Sequence, residues 1–595
     1  MKKIWREIGQ GTGQFKRHWL QYLALFISVG LIIQLLWIPI FRLVTTFVLQ
    51  AGEIPFVSYQ NIVTIIREHP LVVLVLLVEL LLVLVVIYWQ FAFILLGVRD
   101  ISREMITVRG VCQEAWQCVR RLHWASLFVL LVYFVLVIPF ADLVFRTPLL
   151  AKVQVPQFIL DYLTRSGLLL TLLIIFYLLM IFLGVRLVYA LPLMVYRGQQ
   201  PRTALASSWQ RTRKMAWWPV IARLLTISIV AALVMAIFYA TVVGAQWVMD
   251  VLPHPIPYLS ANLNLLLVQF GSEILTTWTG VLTINLLFRP LLTMAGPNFT
   301  PSIITRGVKR VVGVGLALLA LVTVISDGLY LNGSENHRPV TVSHRGVADK
   351  NGVQNSIATM EKTHRLHPDY VEMDLHETKD HQFVVLHDEN LKQLTGVNKR
   401  PSQLTLKQLT RLTARENGHS AKIASFDDYL RVANRLHQKL LVEVKTTPYD
   451  SPDMLRRFDR RYGNNLVQHH AKIHSLDYSV VQRLKKIDPR LYVMYIQPYN
   501  FTYPNIAANG YSMEYSTLTY DFITLAHLQG KQVYSWTVNN PNVMKQLMYK
   551  NADGIITDNM VELNRAVAQY ESHGSYARKI LNYIMVVPTS TEFAP

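Results

Sequence analysis

Apolar residues are unevenly spread along this chain. Long apolar runs fill residues 19–331, and an ordinary mixture of polar and apolar positions follows to the end. Crossing a bilayer as a helix takes about 20 apolar residues. Seven runs reach that length, near 19–41, 71–98, 124–144, 166–190, 218–248, 262–288 and 311–331. Several are longer, which predicts tilt, kinks or interfacial extensions. The first has too long an apolar core for a cleaved secretion signal, and no small-residue cleavage pattern follows it, so it should persist as an anchor. Trp19, Trp37, Trp89, Trp217 and Trp218 fall near run ends, as interfacial anchors do.

Beyond the turn-like Asn332-Gly333-Ser334 the periodicity changes. Short β-rich runs alternate with helical patterns. The runs are 340–343, 370–374, 440–444, 467–473, 491–496, 511–514, 532–537 and 554–557, with helical stretches such as 453–462, 479–487 and 541–550 between them. Alternating β and α predicts a parallel sheet, and eight such units predict a closed (β/α)8 TIM barrel, with a doubly wound open sheet as the alternative. A long insert, 375–436, carries a short extra strand at 382–386 that ends in His387-Asp388. The expected organisation is a multi-span α-helical membrane domain over 1–331, a linker over 332–339, the α/β barrel over 340–570 and a C-terminal tail over 571–595.

Composition agrees with a chain partly in lipid: 52% of its 595 residues are hydrophobic and only 16% charged, against about 25% charged in soluble domains. The net charge of +20 does not point to nucleic acid, because the basic residues form no single dense run. In the first half they gather in alternate loops: Lys2 to Arg17, Arg99 to Arg121, Arg197 to Lys214 and Arg289 to Arg310. Basic loops stay cytoplasmic, so seven spans place the N-terminus inside and everything after residue 331 outside. Four charges interrupt the spans. Glu79 and Glu273 lie deep, whereas Arg186 and Arg223 lie near run ends, where snorkelling to the interface is expected. The two cysteines, Cys112 and Cys118, lack the spacing of a redox or zinc motif.

The strand ends of the second half carry chemistry. The first run ends in His344-Arg345-Gly346; the second holds Glu372-Met373-Asp374; the third holds Glu443-Val444-Lys445. Residues two apart on a strand share a face, so Glu372 and Asp374 project together, as do Glu443 and Lys445. Three carboxylates at a barrel mouth make a hard oxygen site suited to Ca²⁺ or Mg²⁺. Arg345 and Lys445 beside it suit an anion, most simply a phosphate. His344 and His387 then form a candidate acid/base pair.

In this order and spacing, His-Arg-Gly, Glu-x-Asp, His-Asp and Glu-x-Lys resemble the glycerophosphodiester phosphodiesterases. The resemblance continues through Ser475-Leu476-Asp477, Trp536-Thr-Val-Asn539 and the segment Ala552 to Asp558. The region before it resembles the membrane domain fused to this enzyme in some Gram-positive bacteria. The resemblance implies His344 and His387 as acid and base, Glu372, Asp374 and Glu443 as metal ligands, Arg345 and Lys445 on the phosphate, and Trp536 at the substrate pocket. It further implies metal-dependent hydrolysis of a glycerophosphodiester to sn-glycerol 3-phosphate and an alcohol; with the barrel outside, as the basic loops predict, the substrate would be deacylated phospholipid or a glycerol-phosphate polymer such as teichoic acid at the outer face of the bilayer. One departure stands out: Gln354-Asn355-Ser356 occupies the place where the family carries Glu-Asn-Thr or Glu-Asn-Ser. Gln354 lacks a carboxylate but can still position groups by hydrogen bonds. The competing expectation is a transporter or a lipid- or teichoic-acid-binding scaffold whose barrel is a non-catalytic sensor.

Overall fold

The computed structural model describes residues 2–54, 56–57, 61–104, 108–122, 127, 130–131, 149, 157–164, 166–292, 306–332, 337–499, 506–572 and 574–586. A first helical stretch runs from Lys2–Ile32 through a π-turn at Ile33–Trp37 into Ile38–Ala51. It takes in the basic segment ahead of the expected 19–41 span. Pro70–Ser102, Gly167–Leu187, Trp218–Met249, Ile256–Leu292 and Arg306–Asn332 carry the other described runs, while the expected span 124–144 lies almost wholly outside the described residues. Among those residues, five helical stretches are long and apolar enough to cross a membrane by length and composition.

Two of the charged residues in these helices do not reach for water as expected. Arg186 is 7% exposed, with its guanidinium 4.2 Å over the Trp209 ring. It donates to the carbonyls of Trp209 and Thr212, at the C-terminal end of the helix Pro201–Arg211. The last carbonyls of a helix have no intrahelical partner, and the arginine supplies one. Arg223 Nε instead lies 3.2 Å from Glu7 Oε2 on the first helix. Glu79 accepts a 2.7 Å hydrogen bond from Thr45 Oγ1.

The second half contains strands β1 (Val340–Ser343), β2 (Tyr370–Glu377), β3 (Phe383–Val385), β4 (Thr413–Glu416), β5 (His419–Lys422), β6 (Ala424–Ser425), β7 (Lys439–Val444), β8 (Lys472–Ser475), β9 (Tyr492–Gln497), β10 (Gly510–Glu514), β11 (Gln532–Trp536) and β12 (Gly554–Thr557). Eight of them, β1, β2 and β7 to β12, run parallel, and β1 pairs with both β12 and β2, which closes the barrel. The open-sheet alternative is thereby excluded. The insert adds antiparallel β3 and β6 at the edge of β2 and a separate β4–β5 hairpin. The expected strand 467–473 is displaced: Asn464–Gln468 is helical and β8 begins at Lys472. Leu466 buries its side chain from the helical turn, and a left-handed His470 (φ 52°) breaks the chain before the strand.

Alternation along the strands divides the core. Val371, Met373, Leu375, Leu440, Val442, Val444 and Val493 face the surrounding helices. Val342, Tyr370, Leu441, Met494, Tyr534 and Ile556 fill the barrel interior. In β2, Tyr370 therefore fixes the inward phase, and Glu372 and Asp374 follow it inward. A one-residue slip would turn both carboxylates into the apolar layer under the helices.

The barrel is seated on the helical half. Phe56 is 4% exposed and belongs to the barrel's outer core, with its ring centroid 5.0 Å from Tyr478 and 4.9 Å from Tyr495. Arg42 pairs with Asp521 at 2.6 Å. Within the segment expected as a tail, Tyr576–Val586 is helical. Its Ile580 and Tyr583 pack with Val242, Ala261, Leu265, Val268 and Leu331, because apolar residues recur on one face at helical spacing.

Candidate active site at the barrel mouth

The chain leaves β1 through a tight turn, His344–Gly346. Arg345 and Gly346 are both left-handed, at φ 53° and 69°. A Cβ on Gly346 would sit 3.2 Å from Tyr429 Oη and 3.4 Å from Val371 Cγ1, so both space and conformation call for glycine. The turn aims the Arg345 backbone N–H at Glu372 Oε2, 2.6 Å away. Asn355, also left-handed (φ 59°), clamps Asp374 reciprocally. Its Nδ2 donates to Asp374 Oδ2 at 2.8 Å, and its Oδ1 accepts from the Asp374 backbone N–H at 3.1 Å.

Cations tie the carboxylates together. Lys445 Nζ lies 2.6 Å from Glu443 Oε1 and 3.1 Å from Asp374 Oδ1, and Arg345 Nε lies 3.6 Å from Asp374 Oδ2. Burial alone would raise the Asp374 carboxyl, but Lys445, His387 and Arg345 and the Asn355 hydrogen bond hold it well below the usual carboxylate range. Glu443, also opposed by burial, is lowered by Lys445. Burial would depress Lys445, yet Glu443 and Asp374 raise it.

Parallel pairing sets Asp374 beside Glu443, and Glu443 beside His474 of β8. Glu372, Glu443 and His474 each offer a ligand atom within 4.8 Å of the others. His474 carried no sequence role, since His469 and His470 looked equally prominent; only the strand register distinguishes it. Both of its ring nitrogens are buried without a hydrogen-bond partner, as is Ser512 Oγ. A buried polar atom left unpaired costs about 1–3 kcal/mol, so their collection at one mouth marks a ligand site. Asp374 meets Arg345 and Lys445, Glu443 meets Lys445, and Glu372 lies 3.7 Å from His474, so three carboxylates gather here beside two fixed cations. These oxygen and imidazole donors fit a divalent cation.

The histidines flank this cluster, each against a carboxylate. His344 Nδ1 lies 2.8 Å from Asp558 Oδ1, and Asp558 in turn accepts from Asn539 Nδ2 at 2.9 Å. Burial works against the His344 imidazolium, but Asp558 outweighs it and raises the pKa. Burial would raise Asp558, yet His344 pulls it down to about 2. His387 Nδ1 lies 2.9 Å from Asp388 Oδ1, and His376 Nε2 is 3.1 Å from the His387 carbonyl. Gln354 accepts from Arg345 Nη1 at 2.7 Å and passes the contact on, donating through Nε2 to Glu416 Oε1 at 2.7 Å and through its backbone N–H to Glu416 Oε2 at 2.8 Å. Glu416, on the β4–β5 hairpin, thus restores a carboxylate one residue behind Gln354. Trp536 ends β11 half-buried against the interior cluster, with Nε1 donating to Ser512 O at 3.0 Å.

Fold and site define a (β/α)8-barrel phosphoric diester hydrolase joined to a multi-pass membrane domain. Residues 8–326 match the membrane domain of glycerophosphoryl diester phosphodiesterase, and residues 344–562 match the glycerophosphoryl diester phosphodiesterase family. The chain belongs to that family and is a glycerophosphodiester phosphodiesterase of the membrane. It is similar to YhdW of Bacillus subtilis (strain 168), 27% identical over 36% of this chain and 93% of that protein. A glycerophosphodiester phosphodiesterase of Caldanaerobacter subterraneus is 22% identical over 37% of this chain and 94% of its own length. A crystal structure of a glycerophosphodiester phosphodiesterase from Parabacteroides distasonis aligns with 40% of this chain and 99% of its own, at 23% identity and a TM-score of 0.35.

Proposed function

We propose that the barrel hydrolyses glycerophosphodiesters with a divalent cation, Ca²⁺ or Mg²⁺, held by Glu372, Asp374 and Glu443 with His474 alongside. The carrying observation is the convergence of Glu372, Glu443 and His474, with Asp374 beside Glu443 in register, at one mouth. Carboxylates gathered there repel a phosphodiester, and a dication among them offsets that repulsion. When bound, the cation supplies positive charge to the phosphate oxygens.

The protein's own groups do the rest. Arg345, fixed by Gln354 and Asp374, and Lys445 stabilise the charge that builds on the phosphoryl oxygens. His344, kept protonated by Asp558, gives its proton to the departing alkoxide oxygen. His387, oriented through Nδ1 by Asp388, takes the proton of the attacking hydroxyl. Asn355 holds Asp374 in place, and Trp536 forms a wall of the substrate pocket.

The membrane half is read as seven spans within 1–331, with a linker over 332–339 and the barrel within 340–570. The alternation of basic loops supports a cytoplasmic N-terminus and an external barrel. Glycerol-bearing phosphodiesters at that face, from deacylated phospholipid or glycerol-phosphate polymers, are its substrates. Release of sn-glycerol 3-phosphate from glycerophosphoethanolamine by purified full-length His344→Ala and His387→Ala variants tests the assignment. Each should lose at least about a hundredfold in turnover; an unchanged rate in either removes that histidine from the mechanism.

A further inference from the structure

A second polar cavity lies at the other end of the barrel. It encloses about 320 Å³. Its lining comes from the end of the last apolar helix (Tyr330, Asn332), from Arg338 just ahead of β1 and Tyr549 just ahead of β12, and from Arg578 and Lys579 of the C-terminal helix. Arg338 and Tyr549 precede their strands, so this cavity is at the N-terminal end of the barrel, away from the carboxylate mouth.

Its lining carries three cationic side chains, Arg338, Arg578 and Lys579, against one carboxylate, Glu571. Arg338 is satisfied by Asp369 at 3.0 Å, with Glu571 3.8 Å away. The Arg578 side chain makes no ion pair or hydrogen bond with any described residue. Lys579 Nζ donates to the Leu331 carbonyl at 2.5 Å and meets no carboxylate among the described residues, and burial pulls its ammonium below the ordinary lysine range. The walls are fixed: Tyr330 Oη donates to the Lys579 carbonyl at 2.8 Å, and Asn582 Nδ2 donates to Tyr549 Oη at 3.1 Å. The level matters too. Tyr330 and Asn332 end the last helix of the apolar half, so on the seven-span reading the cavity sits at headgroup level. A basic pocket rimmed by tyrosine at that level suits phosphate-bearing headgroups.

We propose that this cavity binds the phosphate of an anionic phospholipid headgroup, through Arg578 and Lys579, as a lipid site separate from catalysis. The guanidinium fork of Arg578 takes two phosphate oxygens and the Lys579 ammonium a third contact. The proposal holds whichever residues carry out hydrolysis at the far mouth.

Native mass spectrometry of the full chain in detergent, titrated with phosphatidylglycerol or phosphatidylcholine, tests it. The wild type should retain one phosphatidylglycerol about tenfold more tightly than phosphatidylcholine, and the Arg578→Gln/Lys579→Gln double variant should lose that preference. Arg578→Lys should keep part of it. Turnover of glycerophosphoethanolamine by the double variant, expected at the wild-type rate, verifies its fold. A folded double variant that binds phosphatidylglycerol like the wild type overturns the proposal. So does thermal stabilisation by inorganic phosphate without any preference for the anionic lipid, which would make this a site for soluble phosphate.

Discussion

Replacing Asp558 with Asn removes the charge that holds the His344 proton at nearly unchanged size, and leaves one acceptor oxygen where the carboxylate takes both His344 Nδ1 and Asn539 Nδ2. The magnitude follows from the contacts themselves. Against the opposing effect of burial, His344, with help from Asn539 and Arg345, brings the Asp558 carboxyl from 3.8 to about 2, which corresponds to about 2 kcal/mol for the set of contacts. The Asp558 side chain is 44% exposed, so solvent screening reduces the useful part to about 1 kcal/mol. The His344 pKa, raised in the native protein, should then fall. A proton donor works only below its own pKa, so the alkaline limb of kcat/KM against pH should move downward. The linkage has two edges. The His344 contribution to stability is complete below the unfolded histidine pKa of about 6.5 and fades as pH rises through the raised native value. The Asp558 contribution is complete above about pH 3.9 and fades as pH falls through about 2. The thermal stability lost in Asp558→Asn should therefore be largest from about pH 4 to 6.5 and shrink on either side. A pH–rate profile and thermal melts at several pH values measure both effects. An alkaline limb that stays in place would refute the reasoning, because His344 would then not be the proton donor whose pKa Asp558 sets.

Three further outcomes follow from the geometry. Gly346→Ala places a Cβ 3.2 Å from Tyr429 Oη at a φ of 69°; denaturant melts of the full chain should show a loss of about 1–2 kcal/mol. Glu416→Gln loosens Gln354 and through it Arg345, so kcat/KM should fall about tenfold with the fold intact, whereas Gln354→Glu in that background should recover part of the loss by pairing Arg345 directly. Phe56→Ala empties a site that is 4% exposed between Tyr478 and Tyr495; the barrel should melt earlier, by an amount equivalent to about 3–5 kcal/mol, and limited proteolysis should cut the junction faster.

What the sequence disclosed follows from its periodicities. Glu372 and Asp374, or Glu443 and Lys445, are two apart in apolar strands, and alternation alone puts each pair on one face. The closed barrel follows from eight βα repeats. His474 was not legible, because nothing local separates it from His469 and His470; its place beside Glu443 depends on the register of β7 with β8. That register was obscured within 467–473, where Val467 serves a helical turn and the strand begins only at Lys472. Asp558 lay inside a recognised segment, yet its bond to His344 spans the barrel closure between β12 and β1, which no local pattern encodes. Glu416 lay in the long insert 375–436, and only the β4–β5 hairpin returns it to Gln354. Arg186 misled the reading because carbonyls freed at a neighbouring helix end compete with water for its guanidinium.

The measurement that bears most directly on this account is cation dependence at the carboxylate cluster. Full-length enzyme stripped with chelator should release no sn-glycerol 3-phosphate from glycerophosphoethanolamine and should recover on titration with Ca²⁺ or Mg²⁺. Glu443→Gln should need about 10–100 times more cation for half-recovery. Full turnover in chelator, or an unchanged cation requirement in Glu443→Gln, would contradict the claim that these side chains gather around a metal ion.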